Sequence, residues 1–238
     1  MTHQPTEVPD IPSEDSILSH NHTLFWYDKP VEFKTVEEIT DSNIFEQIPG
    51  FTVYKLFIGD FGGDVIGMQR IINKLQEAGP EDMLEIHIAS DGGEVDDLIQ
   101  LYNLCNSVFY KRVVTYVSHA YSAGAWTFLM GNERVLYEHS SLMWHSYSGG
   151  FGGKRQDLLD RVEHEDARLE RFLMGTLSPY FSKKEIRKMN KGKDYWVTTM
   201  EACQRGICTH VLKDGKVITA KDYITPKKTK KTKKTKKI

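Results

Sequence analysis

Ser122 is the residue in this chain best placed to carry covalent chemistry. It lies in Val113–Trp126, which reads VVTYVSHAYSAGAW. The β-branched run Val113–Val117 predicts a buried strand, and the breaker-free apolar run Ala125–Met130 predicts a buried helix. A serine on the turn between them projects its hydroxyl from the end of a sheet. The first amides of the helix lack partners and point at any negative charge forming beside that hydroxyl. Such a setting suits a nucleophile whose intermediate is an oxyanion. On this stretch alone, it suits a plain serine N-cap equally well.

Serine acyl transfer also needs a base, a group that orients the base, and oxyanion donors. The histidines near Ser122 in sequence are His119, His139, His145 and His164. His145 follows the apolar strand Leu142–Trp144, whose end can carry an imidazole to the same sheet edge; a surface histidine at a strand end is the commoner case. His119, in the loop itself, can line the site instead. Asp194, between Gly192-Lys193 and Tyr195-Trp196, is the candidate orienter and, by the plainer reading, an ordinary turn aspartate. Gly93, in the turn Asp91-Gly92-Gly93, lets a backbone N–H approach a substrate closely. Ala123, directly after the serine, offers a second amide.

These residues need a scaffold, and the hydrophobic pattern predicts one. Val53–Ile58, Leu84–Ala89 and Val113–Val117 read as strands. The stretches 64–78 and 95–109 have helical spacing, the first stopped by Gly79-Pro80. Arg134–Tyr137 and Leu142–His145 read as two further short strands. Successive strand–helix units imply a mostly parallel α/β sheet with right-handed crossovers. The glycine-rich Tyr147–Gly153 is either a flexible loop or an extended segment pressed against another backbone. Lys154–Leu177 reads as a long charged helix with a thin apolar stripe, which either stands in solvent or packs on another subunit. Ser182–Asn190 has a capping-box pattern, Thr199–Gln204 is a helix closed by Gly206, and a hairpin turns at Asp214-Gly215.

Composition divides the 238 residues unevenly. The overall charge is −2, yet the tail Lys227–Ile238 holds eight lysines and no acid, which leaves 23 basic against 33 acidic groups in the rest. The tail, a repeat of KKT, predicts disorder; it reads as a solvated tail or as a weak electrostatic partner of nucleic acid or an acidic surface. Three cysteines, an odd number without metal-knuckle spacing, fit a reduced, cytoplasmic compartment. No secretory signal and no transmembrane run is expected. His20 and His22 make only a weak metal pair, so no metal is expected, and no cofactor. The segments drawn are an acidic, partly disordered N-terminal extension over 1–48, an α/β head over 49–153, a helical region over 154–190, a return to the head over 191–226, and the tail over 227–238.

Five motifs, taken in order, resemble the proteolytic subunit of the Clp protease: SDGGEV at Ser90–Val95, YSAGA at Tyr121–Ala125, LMWHS at Leu142–Ser146, GGFGG with the long charged helix, and KDYWVTTMEACQRGICTHV at Lys193–Val211. The resemblance implies a crotonase-like spiral of β-β-α units with a protruding handle helix from Lys154. It implies two stacked heptameric rings enclosing Ser122, His145 and Asp194 as a triad, with Gly93 and Ala123 as oxyanion donors. Gly92, Glu94 and Val95 would hold substrate backbone, and Gly149 and Gly150 would line the substrate channel and admit the peptide backbone as an added strand. The cofactor-free peptidase would be fed unfolded polypeptide by an ATP-driven hexameric unfoldase. Ser118, Tyr121 and Ser146-Tyr147 depart from the family pattern around the serine and histidine, which bears on pocket shape. A non-catalytic ring subunit, a Ser-Lys signal peptide peptidase and a crotonase-type acyl-CoA enzyme are the alternatives on related folds.

Overall fold

A computed structural model describes residues 44–48, 51–62, 65–150 and 152–225, with the side chains of 44–48, 65–67 and 173 left aside. The aromatic cluster Leu24–Tyr27, the His20/His22 pair, Phe151 and the lysine tail lie outside the described residues.

Five parallel strands carry the fold. They are β2 (Phe51–Ile58), β3 (Met83–Ser90), β4 (Val113–Tyr121), β5 (Glu133–Trp144) and β7 (His210–Lys213), adjacent in that order. Antiparallel strands close both edges: β1 (Ile44–Ile48) on β2, and β8 (Lys216–Thr219) on β7. A short strand, β6 (Tyr195–Thr198), pairs antiparallel with the last residues of β5. The helices α1 (Val65–Leu75), α2 (Val95–Val108) and α3 (Ala123–Phe128) connect β2 to β3, β3 to β4, and β4 to β5. The expected parallel α/β arrangement of strand–helix units is therefore present. β4 is covered on both faces, with Val113 and Val117 on one and Val114 and Tyr116 on the other at most 4% exposed, which is why Val113–Val117 reads as an apolar run, whereas β3 buries Leu84, Ile86 and Ile88 on one face and alternates them with Glu85 and His87 on the other. The core continues through α3, all of whose residues are buried.

Two sequence readings change. Strand β4 runs four residues beyond Val117, so Ser118–Tyr121 are ladder rather than loop and Ser122 directly follows the strand. The two short strands expected at Arg134–Tyr137 and Leu142–His145 are one twelve-residue strand with a bend. Against β4, the register jumps from Val117↔Leu136 to His119↔Ser141. Side chains bond the backbone freed at the bend: Ser140 Oγ donates to the Val117 carbonyl, and Thr199 Oγ1 donates to the carbonyls of Tyr137 and Ser140 at 3.0 and 3.2 Å. The polar residues of Tyr137–Ser140 read as a gap between strands because they sit where pairing lapses.

The second half of the chain adds α4 (Arg155–Leu177), α5 (Lys183–Met189), α6 (Thr199–Arg205) and α7 (Ala220–Ile224). The predicted capping box is formed at α5: Ser182 Oγ accepts from the Glu185 amide while the Glu185 carboxylate accepts from Ser182. Arg205 joins Glu185 and Glu201, each at 2.9 Å. Cys105, Cys203 and Cys208 are free and buried. Among the described residues, no helix is long and apolar enough to cross a membrane.

Candidate active site

Ser122 occupies the first position of the turn between β4 and α3, with φ 52° and ψ −125°. Those angles belong to a region that type II′ turns normally fill with glycine, because an L side chain crowds the backbone there. The strain is held from both sides. The Ser122 amide donates to the Met143 carbonyl at 2.9 Å, and the Ser122 carbonyl accepts from Ala125 at 2.9 Å. The side chain makes no capping bond. The hydroxyl is thus free of the N-cap role that the sequence alone left equally plausible.

The Asp91-Gly92-Gly93 turn packs against this serine. A Cβ added at Gly92 would stand 2.6 Å from Ser122 Cβ and 3.2 Å from the Ala123 amide nitrogen. Gly93 bridges Phe61: the Phe61 amide donates to the Gly92 carbonyl at 2.6 Å, and the Glu94 amide donates to the Phe61 carbonyl at 3.4 Å. In that pattern, the N–H of Gly93 itself faces away from Phe61. Gly93 has φ +125°, and an added Cβ would fall 1.9 Å from the Phe61 carbonyl oxygen. Only glycine fits both the angle and the space. Asp60 steadies the turn by accepting from the Asp91 amide at 2.6 Å. The Ala123 amide opens α3, where no preceding carbonyl of the helix can reach it.

His145 lies one residue past the end of β5, partly exposed, and Asp194 lies one residue before β6, exposed. The β5/β6 ladder ends on the pair Trp144↔Tyr195, so one further step of its register sets His145 opposite Asp194. The bond from Ser122 to Met143 ties the serine to the same end of β5, two residues before His145. Among the described residues, no hydrogen bond joins Ser122, His145 and Asp194. His119 instead lies at 3.9 Å from Asp91 and packs on Tyr121, whose ring meets Trp196 edge-on. His139 and His164 are exposed, on β5 and α4.

A cavity of about 20 Å³ opens beside Ser122 and Ala123. Val95 and Leu98 of α2, Trp126 of α3, Tyr147, and Leu169 and Phe172 of α4 line it. Its polar tips are turned to partners: Trp126 Nε1 donates to Thr176 Oγ1 at 3.1 Å, and the Tyr147 hydroxyl donates to Asp166 at 2.5 Å. The bond to Asp166 pushes the Tyr147 hydroxyl up to about 12, so it remains a donor at neutral pH. Arg168 of α4 pairs with Asp96 of α2 at 2.9 Å and is steadied by Glu165 of its own helix at 2.7 Å. Glu94 is exposed and precedes α2, with its side chain against Gly62. Gly149 and Gly150 are exposed, with open space where a Cβ would stand. Among the described residues, no cluster of three or more histidines, cysteines or carboxylates could hold a metal.

The sequence matches the Clp protease family over residues 56–215. The chain belongs to the Clp protease family. Over 163 residues it is 26% identical to the ATP-dependent Clp protease proteolytic subunit of Porphyromonas gingivalis, an alignment that covers 67% of this chain and 72% of that protein. This member of the Clp protease family has a mixed sheet with a parallel centre and flanking helices, and family membership points to a peptidase.

Sequence reasoning missed three contributors to the site. Phe61 lies between the strand read at Val53–Ile58 and the helix read at 64–78, yet its backbone sets the Gly93 conformation. Trp126 read as helix core and lines the cavity. Tyr147 read as part of a glycine-rich loop and closes the cavity through Asp166. An aromatic residue inside each otherwise polar or glycine-rich turn was the available signal for Phe61 and Tyr147.

Proposed function

We propose that this chain is a serine endopeptidase acting as the proteolytic subunit of an ATP-dependent, compartmentalised protease of the Clp type. The observation that carries this reading is the strained Ser122, uncapped and wedged against Gly92-Gly93 at the end of β4. In the proposed reaction, His145 accepts the Ser122 proton as Oγ attacks the scissile carbonyl, and Asp194 fixes the imidazole tautomer. The N–H groups of Gly93 and Ala123 stabilise the oxyanion, an interaction whose loss typically costs about 10²–10³ in rate. His145 then passes the proton to the leaving amine, and water hydrolyses the acyl-enzyme. The shared end of β5 supports this grouping. His145 must turn toward Ser122 to begin, a closure that catalytic groups often complete only with substrate bound.

Substrate is an extended, unfolded polypeptide. Its backbone would lie along Gly92–Val95 on one side and Gly149-Gly150 on the other, where missing side chains admit another strand. An ATP-consuming unfoldase would deliver it, and the chain itself needs no cofactor. The first three turns of α4 support assembly into stacked heptameric rings on a spiral of β-β-α units. They are almost wholly exposed, yet carry Leu159 and Val162 at 51% and 41% exposure on one face, which fits a handle packing on a second copy.

The missing hydrogen bonds among Ser122, His145 and Asp194 favour one second reading, a ring subunit that does not cleave. Labelling with a fluorophosphonate, mapped to a residue, together with a native mass, separates the two. The endopeptidase reading expects one label per chain on Ser122, none on Ser122→Ala, and the same assembly for both proteins. Ring assembly with an unlabelled Ser122 would establish the non-cleaving subunit instead.

A further inference from the structure

We propose that Tyr147, latched to Asp166, restricts this peptidase to substrates with a small apolar residue on the acyl side of the scissile bond. The inference rests on the peptidase reading and concerns the cavity beside Ser122. An acyl group bonded to Ser122 Oγ, with its oxygen toward the amides of Gly93 and Ala123, directs its side chain into the neighbouring space. That space is the cavity bounded by Val95, Leu98, Trp126, Tyr147, Leu169 and Phe172.

Its chemistry excludes charge. No lining residue is ionised at neutral pH. The two groups that could satisfy a polar side chain are already engaged, Trp126 with Thr176 and Tyr147 with Asp166. A buried charge without a partner is strongly unfavourable. Its volume excludes bulk. About 20 Å³ compares with about 150 Å³ for a buried apolar cavity that takes benzene, so a phenylalanine side chain does not fit while the walls stand as they are.

The walls differ in how firmly they are set. Trp126 is 7% exposed and tied at its nitrogen, Leu169 is 6% exposed, and Phe172 packs on Tyr102 and Trp126 with ring centroids 5.4 and 6.2 Å away. Tyr147 is different. It stands on a segment without regular structure, two residues past His145, and its described anchor is the bond to Asp166 across on α4. Releasing that bond lets the ring swing out and lengthens the cavity toward solvent. Tyr147 is therefore a specificity-determining residue, and Asp166 positions it.

The test uses peptidyl diphenyl phosphonates, whose phosphorus is attacked by the active serine with loss of phenoxide, carrying either alanine or phenylalanine at the acyl position. Labelling rates are read by intact mass on the full chain, with a simple fluorophosphonate as a control for serine reactivity. The wild-type protein is expected to react at least tenfold faster with the alanine probe. In Tyr147→Ala, the phenylalanine-to-alanine rate ratio should rise at least tenfold. In Asp166→Ala, a surface substitution that keeps the Tyr147 ring but releases its anchor, it should rise by about threefold or more. Equal wild-type rates for the two probes, or a ratio unmoved in both variants while the fluorophosphonate still labels Ser122, would overturn the restriction and leave the peptidase standing. A Ser122 unreactive toward the fluorophosphonate would overturn the peptidase reading and the restriction with it.

Discussion

Replacing Ser122 by glycine should make the protein more stable, whereas alanine should leave stability unchanged. The backbone at Ser122, φ 52° and ψ −125°, holds a non-glycine residue in a sparsely populated region, a conformation that costs about 1–3 kcal/mol. Ser122→Gly removes the Cβ that crowds the backbone at these angles. Against this stands the extra freedom that glycine gives the unfolded chain, about 0.4–1 kcal/mol. The net expectation is a gain of about 1 kcal/mol. With a urea dependence of about 2–3 kcal/mol per molar, the unfolding midpoint should rise by about 0.3–0.5 M. Ser122→Ala keeps the Cβ and the strain. Because Ser122 makes no capping bond, it also escapes the penalty of about 1 kcal/mol that loss of an N-cap serine normally brings. Its midpoint should match the wild-type value. Urea melts of the three proteins, followed by far-UV circular dichroism at one protomer concentration, decide the matter. An alanine variant weakened by about 1 kcal/mol, with a glycine variant no more stable than wild type, would mean that the serine is an ordinary cap and the turn is not strained.

Three further outcomes follow from the same geometry. Gly93→Ala should lower peptide cleavage by about 10² or more, since the new Cβ would meet the Phe61 carbonyl oxygen and displace the amide proposed to hold the oxyanion; fluorogenic peptide turnover measures it, and wild-type rates would exclude that amide. Thr199→Val should cost about 1–3 kcal/mol by leaving the carbonyls of Tyr137 and Ser140 without their donor, and Thr199→Ser should restore it; chemical denaturation of both variants checks this. Arg205→Ala should be less stable than wild type at pH 7, with the gap narrowing at pH 3. Arg205 holds the Glu185 carboxyl down at about 2, so the stabilisation is complete above the usual carboxylate range and is lost as pH falls toward 2. Urea midpoints at the two pH values test the sign, and a gap that widens in acid would refute the pairing.

Much of the scaffold could be read from residue order because its signals are local. Val113–Val117 reports burial on both faces of the central strand, the strand-like and helix-like runs through Phe109 report the buried face of each element, and that burial is written into hydropathy. Ser182 with Glu185, and Asp214-Gly215, announce a cap and a turn because three or four adjacent residues satisfy each other. Ser122 could be singled out, but not distinguished from a helix cap, because both roles want a small hydroxyl residue before an apolar helix.

Only the tertiary structure could decide that question, since it depends on the backbone angles that Gly92, Met143 and Ala125 together impose on one residue. The bend in β5 was likewise hidden. The donor that bonds its carbonyls comes from Thr199, fifty-nine positions beyond Ser140, while Ser140 itself bonds the Val117 carbonyl of the neighbouring β4. The cavity is assembled from α2, α3, Tyr147 and α4, so no window of sequence contains its shape. Sequence determined which residues could react and which elements could carry them. Long-range packing decided how those residues face one another, because a hydroxyl, an amide and an aromatic wall acquire chemical meaning only from neighbours that the chain brings back to them.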